Sequence, residues 1–568
     1  LKSLKAGYLN IMKRLKTPAV IFILFFAVAV VMTFPAILHL DSRVVGVSSH
    51  PGFQGELFFE KNILYNAQKG NLFHWFRTDL VNYPAGQDIG LRVANSLHLY
   101  FSLFFTAFFS LIVSYNMLAI VILALNGFTM YLLARDFFPS RPVSFCAGLF
   151  FTLNSYVLLK MNMGFTHKIN LVFLPLYVLC LFRVLNGKRN TYLFGAAFFL
   201  FLVKLSYPPY AYYAIMFTAA LLAYDLINTR GVPRFSKKVF LIMALFMSFV
   251  FLFDFYMAGS SVFSPKSLSF EKNLPPLMMH GQVDIFHPFR SILPFPTNLP
   301  FGVSILGVIL GCYAAFLKKG LSRFFFITAV VCFIISAGPY LAISGKPLVL
   351  LNHKITLPYY FLYKYTPSVY GEGLILPIRI FPVLNICLAL LTGYSLTHIA
   401  GKIAKKGAFI AAVLFILFYF LENLMIFPEL FPMRTSRLNI PEFYRKIKNE
   451  KFKAMLNLPV SENREITNRY CYYAALSDKN IMNSYDNKEL CVSVPESSDG
   501  ADIKERFIKR LDELDVRYVV IHKGLSGSDD AFGKDTEWLA GFCGFPVDYD
   551  SDKLLVYRIP DNKQTEKR

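Results

Sequence analysis

Charge is scarce in this chain: Asp, Glu, Lys and Arg make up 17% of its 568 residues, against about 25% in a soluble protein. With 55% hydrophobic residues and a mean hydropathy of +0.46, a water-soluble core cannot hide the apolar surface, so lipid is the expected solvent. No C-x-x-C pair occurs among the eight cysteines, which leaves a zinc or redox motif unsupported. Cys146, Cys180, Cys312, Cys332 and Cys387 sit in apolar runs as small hydrophobes. Cys471, Cys491 and Cys543 follow them, so the C-terminal part allows at most one disulfide. No glycine-rich phosphate loop follows a strand-like run, which argues against a nucleotide site. No fixed-period repeat, low-complexity tract, two-half symmetry or cytoplasmic output domain appears, and this weakens the solenoid, transporter and receptor classes.

What is present is a series of apolar runs. Candidate spans are 18–38, 116–134, 142–159, 169–186, 191–206, 209–227, 238–258, 300–317, 323–341, 380–399 and 407–427, about eleven in all. The first reads as an uncleaved signal anchor. The net charge of +22 sits mostly in short loops on one side of these spans, as the positive-inside rule requires, so nucleic acid is not an expected partner. Lys2, Lys5, Lys13, Arg14 and Lys16 place residues 1–17 in the cytoplasm. Arg135 and Arg141, Arg183 to Arg189, Arg230 to Lys238, Lys318 to Arg323, and Lys402 to Lys406 then fall on the same side. Leu97–Val113 is apolar enough to cross, but crossing would invert every later basic loop, so it is expected to be interfacial, re-entrant or buried.

The predicted architecture is an all-α polytopic membrane domain over 18–427, with outer loops near 39–115, 259–299 and 342–379, followed by a small extracytoplasmic α/β domain over 428–568. In the latter, Pro441–Glu450 and Ile503–Leu514 read as helices, and Ala454–Val460, Arg517–Ile521 and Lys553–Ile559 as strands.

Four stretches, in order, carry a resemblance. They are Gly55-Glu56 with Asn82-Tyr83-Pro84-Ala85-Gly86-Gln87-Asp88; Gly164-Phe165-Thr166-His167-Lys168-Ile169-Asn170 before Pro175-Leu176; Gly338-Pro339, Leu357-Pro358-Tyr359 and Pro377-Ile378-Arg379; and Asn457-Leu458-Pro459 with Val516 to Val520. Together they resemble the GT-C glycosyltransferase superfamily, and more narrowly its YfhO-type members, over nearly the whole chain. The pattern departs from those relatives in two places. Gly52-Phe53-Gln54-Gly55-Glu56 stands where they often carry Gly-Asp-x-Gly-Asp, and Ile375 stands where they carry the first arginine of Arg-x-Pro-x-Arg.

The resemblance implies transfer of a sugar from a polyprenyl-phosphate carrier to a cell-envelope acceptor on the outer face of a prokaryotic plasma membrane. The alternative is a non-catalytic membrane protein, such as a lipid or glycan transporter or an envelope assembly factor. Glu56, after the Pro51-Gly52 turn, is the expected general base on an exposed loop, with Asp41 as its rival. Arg379, His167 and Lys168 are the donor-phosphate candidates, because a forked guanidinium suits phosphate. Asp88, Glu372 and Tyr83 are possible accessories. The cofactor is left open between none and a divalent metal, with Glu56 and His167 as candidate ligands. His280, Asp284 and His287 have metal-like spacing but read more simply as a polar loop. Lys204 and Asp254 lie at membrane depth, where a charge snorkels or finds a partner. Tyr207, Tyr210, Tyr212 and Tyr213 suit an aromatic belt.

Overall fold

The computed structural model describes residues 18–47, 51–70, 77–89, 97–229, 236–258, 303–317, 320–343, 346–366, 376–403, 407–426, 431–438, 440–458, 464–483, 508–523 and 545–559. Glu372, His280, Asp284, His287, Cys491 and Cys543 lie outside them. The chain divides into two compact units. The first is 1–39, 95–98 and 116–434; the second is 40–94, 99–115 and 435–568.

The first unit is helical. Among the described residues six helices are long and apolar enough to cross a membrane: Leu111–Phe137, Thr166–Leu185, Pro208–Asn228, Lys237–Phe255, Pro377–Lys402 and Gly407–Met425. The pair Arg141–Thr152 and Ser155–Asn162, bent by 44°, makes a seventh if it counts as one span. The other four expected spans contain apolar helices of 10–17 residues (Pro18–Met32, Thr191–Ser206, Ile305–Leu317 and Ser322–Ser336), shorter than the ~20 residues a bilayer core needs. On length and composition the chain is therefore a multi-pass membrane protein, with six or seven full-length spans among the described residues.

Pro377–Lys402 is the spine of this unit, buried along most of its length. Glycines let large rings approach. A Cβ on Gly393 would lie 2.2 Å from the Phe138 ring, and one on Gly148 would lie 2.5 Å from the Phe25 ring. Such small-residue contacts are how helices pack closely where lipid offers no hydrophobic drive. Lys204 does not snorkel. Its Nζ lies 2.5 Å from Asp254 Oδ1, so the two membrane-depth charges, fifty residues apart, satisfy each other.

Leu97–Val113 is not one segment. A ten-residue helix, Leu97–Thr106, spans about 15 Å, half the ~30 Å hydrocarbon core. A break follows at 107–110, and Leu111 opens the next long helix, five residues before the expected start of that span. Ser110 sets the boundary: its Oγ accepts the Val113 amide at 3.4 Å, the N-cap bond that composition alone does not reveal.

The second unit contains a five-stranded mixed sheet. Its order is Asn480–Ile481, Ala454–Leu458, Val516–His522, Leu554–Arg558, Val547–Asp550. The first three strands run parallel and the last two are antiparallel additions. Ala454, Leu456 and Leu458 pack on one face and Met455 on the other, so both faces are covered, as parallel strands require. The helix Arg464–Ser477 packs against Pro51–Gln68 within this unit.

The turn around Tyr83-Pro84-Ala85-Gly86 is docked on that sheet. Asn82 and Tyr83 amides donate to Asn483 and Ile481 carbonyls at 2.8 and 3.1 Å, and the Tyr83 ring packs against the sheet's core. Asp88 pairs with Arg77 in a two-residue ladder. Gly86 has φ +67°, and a Cβ there would lie 3.0 Å from the Thr78 carbonyl oxygen. Gly86→Val should therefore destabilise the second unit by about 1–3 kcal/mol, read as a lowered melting temperature. An unchanged melt would contradict this account of the motif.

Candidate active site

In the second unit, Glu56 lies on a helix rather than an exposed loop. Pro51–Gln68 is a continuous helix of 18 residues, with its proline in the first turn, where no amide is needed. Its first half is buried almost all round. Phe53, Leu57 and Phe58 are in the core, and Glu56 is only 6% exposed. The expectation of an exposed acid failed because Pro51-Gly52 starts the helix instead of a loop. Phe53, which replaces an acid of the related pattern, packs edge-on against Tyr115 and Tyr472 at 5.2 and 5.9 Å. That position is a core position here.

A second acid, unanticipated from the sequence, lies one helical turn on. Glu60 is 1% exposed, and at i,i+4 it shares a face with Glu56. Burial pushes its carboxyl up to about 8; the Ser102 hydroxyl bond opposes this and the Glu56 charge adds to it. Glu60 Oε1 has no hydrogen-bond partner among the described residues. Asp41, the rival base, is exposed in a turn ahead of the strand Arg43–Val45.

The raised value has a stability consequence. The folded protein keeps on Glu60 a proton that the unfolded chain releases near 4.5. Stability should fall as pH rises from about 4.5 to about 8 and then level off, with a slope of up to ~1.4 kcal/mol per pH unit. Glu60→Gln should remove that slope. Melting temperatures of both proteins at pH 5 and pH 8 check this; parallel declines would show that Glu60 is not the group responsible.

In the first unit, Arg379 sits in the tight turn Pro377–Ile380 that feeds the spine helix. It is half-buried, and its guanidinium carbon lies 5.3 Å from the centre of the Tyr207 ring. Tyr207 lies 5.3 Å from the His167 ring and 4.9 Å from Tyr210. The Tyr210 hydroxyl donates to the Lys168 carbonyl at 2.7 Å and lies 2.7 Å from the Tyr156 hydroxyl. The His167 segment is pinned from below: Asn126 donates to the Ile169 carbonyl at 2.7 Å and accepts the Leu171 amide at 3.1 Å, and Asn170 donates to Ser206 at 3.2 Å.

Three members of this cluster were not anticipated. Lys160 is 6% exposed and lies near Tyr156 and Phe165 (5.9 and 5.7 Å to the ring centres). The His98 ring lies 6.0 Å from that of His167, and Tyr156 is fully buried, 6.0 Å from the Phe381 ring. A lysine one residue beyond an apolar run is a usable sequence signal for such a site. Lys168, by contrast, lays its ammonium over Phe165 at 3.3 Å, and its backbone, not its charge, is what Tyr210 holds.

Among the described residues no three of His, Cys, Asp and Glu gather as a metal site.

No protein-family model and no curated protein matches the chain. Solved structures do. The arabinofuranosyltransferase AftD from Mycobacteria aligns at TM-score 0.51 and 12% identity, over 96% of this chain but 40% of AftD. This chain thus spans about two fifths of AftD's length. ArnT from Cupriavidus metallidurans in the apo state aligns at TM-score 0.50 and 12% identity, over 95% of this chain and 98% of ArnT. ArnT bound to undecaprenyl phosphate aligns equally well, at TM-score 0.50 and 11% identity. At these identities what is shared is the fold. The chain has a GT-C-like fold.

Proposed function

We propose that this protein is a membrane glycosyltransferase that takes a sugar from a polyprenyl-phosphate carrier and places it on a cell-envelope acceptor at the outer face. The observation that carries the reading is the set of cations and tyrosines around Arg379. Arg379 over the Tyr207 ring, His167 beside that ring and Lys160 beside Tyr156 gather nitrogen donors and hydroxyls of the kind that bind a phosphate. A GT-C-like fold and a structural neighbour bound to undecaprenyl phosphate support the same class of ligand.

In this reading Arg379 and Lys160 hold the carrier phosphate, and His167 and Tyr207 shape its approach. Glu56, in the second unit, is the proposed base for the acceptor hydroxyl. The hydroxyl oxygen bonds to the anomeric carbon as the bond from that carbon to the phosphate oxygen breaks. Polyprenyl phosphate leaves with the electron pair, its charge stabilised by the two cations. Burial favours the protonated form of Glu60, so Glu60 is not the proposed base.

The orientation places the N-terminus in the cytoplasm and the C-terminal domain outside, because the basic loops alternate with the spans. A reporter fused after Phe427 should be active only outside. Cytoplasmic activity there would overturn the outer-face chemistry.

A further inference from the structure

In the first unit, the chain that follows the helix Ser322–Ser336 starts at membrane depth. The helix has 15 residues and so rises about 22 Å, against a hydrocarbon core of ~30 Å. Arg323 is exposed in its first turn, where a basic residue marks the head-group level. Its exposed side chains Ile327, Val330, Val331 and Ile334 form one stripe at helical spacing, the face that meets lipid. An upright helix therefore ends several ångströms short of the far head groups, and a tilted one ends shorter still.

Backbone at that depth has to satisfy itself, and here it does. The Leu341 amide donates to the Ile355 carbonyl at 2.9 Å, Ile355 to Leu348 at 3.2 Å, and Leu348 back to Leu341 at 2.7 Å, a closed ring of three bonds. The Leu357 amide donates to the Pro339 carbonyl at 2.9 Å. From this base projects a hairpin in which Leu350 pairs with His353 across the turn Leu351-Asn352. Leu350 is 63% and Leu351 88% exposed, and Leu348 and Val349 are exposed beside them. Both turn residues have positive φ, 49° and 62°. Such a turn favours asparagine and glycine, so backbone geometry does not account for an exposed leucine at its first position. At the hairpin's foot the Tyr340 and Tyr360 rings lie 5.9 Å apart, with the Lys354 ammonium 5.3 Å from the centre of the Tyr340 ring. Tyrosine and lysine are residues of the head-group boundary. The next helix, Pro358–Tyr365, packs against Ser322–Ser336 and also exposes Phe361 and Tyr365.

We propose that the hairpin tip, residues 348–351, inserts into the bilayer beside Ser322–Ser336, in the outer leaflet by the orientation of the basic loops. The occupant of this apolar surface is lipid because the surface continues a lipid-facing helix that is too short to reach the head groups alone. The ring of backbone bonds holds the base rigid, so the tip is presented without an ordering cost at the moment of insertion. Lys354 and the tyrosines at the foot stay at head-group level, where the lysine reaches lipid phosphate.

The test places a photo-crosslinking phenylalanine analogue at position 349 of the full-length protein, irradiates it in phospholipid liposomes and in native membranes, and reads the products by mass. Phospholipid adducts at that position should dominate in both. Leu350→Asn combined with Leu351→Asn should lower them by roughly tenfold or more, the scale of burying one or two leucine side chains. The melting temperature in detergent should hold, because both side chains are exposed and asparagine suits the turn. Absence of phospholipid adducts in liposomes, or adducts unchanged by the two substitutions, would overturn the proposal. So would adducts in native membranes that are mainly with another protein, which would make the tip a protein-docking surface. The liposome result uses the unaltered leucines, so it decides the matter even if the double variant folds poorly. Failure of the sugar-transfer reading would leave these outcomes unchanged.

Discussion

Glu56→Gln is expected to lower sugar transfer by ~10²–10⁴-fold, the range a general base supplies. The substitution keeps the shape of the side chain and removes its charge and basicity. Carrier binding should be unchanged, because the phosphate role is assigned to Arg379 and Lys160. Glu56 is 6% exposed on a packed helix, so the variant's melting temperature belongs beside its rate. Glutamine removes the like-charge interaction with Glu60 that raises the latter's proton affinity. A stable variant with a large rate loss is therefore the expected pair of results. Glu56→Asp should retain part of the activity, since it keeps the carboxylate with a shorter reach. Asp41→Asn should be near wild type, because Asp41 is exposed in a turn. If Asp41→Asn abolishes transfer and Glu56→Gln does not, the base is Asp41.

The second large effect belongs to the phosphate cluster. Arg379→Ala should weaken polyprenyl-phosphate binding by about 10–100-fold, the loss of one or two charge-assisted bonds of ~1.5–3 kcal/mol. Arg379→Lys should recover only part, because a point charge cannot fork across two oxygens. Lys160→Met replaces a side chain that is only 6% exposed with an apolar one, so the protein's melting temperature should hold or rise while carrier binding falls. That opposite movement separates a ligand-binding lysine from a structural one. The double variant should lose less than the sum of the two single losses, since both cations act on one phosphate. Unchanged binding in Arg379→Ala and Lys160→Met together would remove the cluster from the donor site.

Much of the membrane architecture was legible because lipid permits so few backbone solutions. Apolar runs in a lipid-soluble chain are helices, and each of the eleven expected stretches contains one. Their ends were less legible. The break at 107–110 depends on one serine cap, which composition does not register. In the second unit the strands around Leu456, Val519 and Val556 were readable from β-branched and alternating runs, but their order was not, because strands distant in sequence pair through shared burial. The helix Arg464–Ser477 was missed, since its run of tyrosines and small residues has no clear stripe.

The candidate site was legible in part for a related reason. Glu56, His167 and Arg379 were reachable through short motifs. Glu60 sits in Phe-Phe-Glu-Lys-Asn, which looks like an ordinary solvated face until the helix turns out to be buried. Lys160 falls one residue beyond an expected span, and the contact between Arg379 and Tyr207 crosses more than one hundred and fifty residues of chain. Contacts of that kind come from tertiary packing, not from local pattern.

The most direct test of the central claim is carrier release. The full-length protein, reconstituted in liposomes, is offered a panel of polyprenyl-phosphate sugars with cell-envelope acceptors, and free polyprenyl phosphate is measured over time for the wild type and Glu56→Gln. The account predicts release from at least one donor by the wild type, reduced ~10²-fold or more by Glu56→Gln. Carrier that binds but is never released, across the whole panel, would contradict it and leave a GT-C-like fold put to a non-catalytic use.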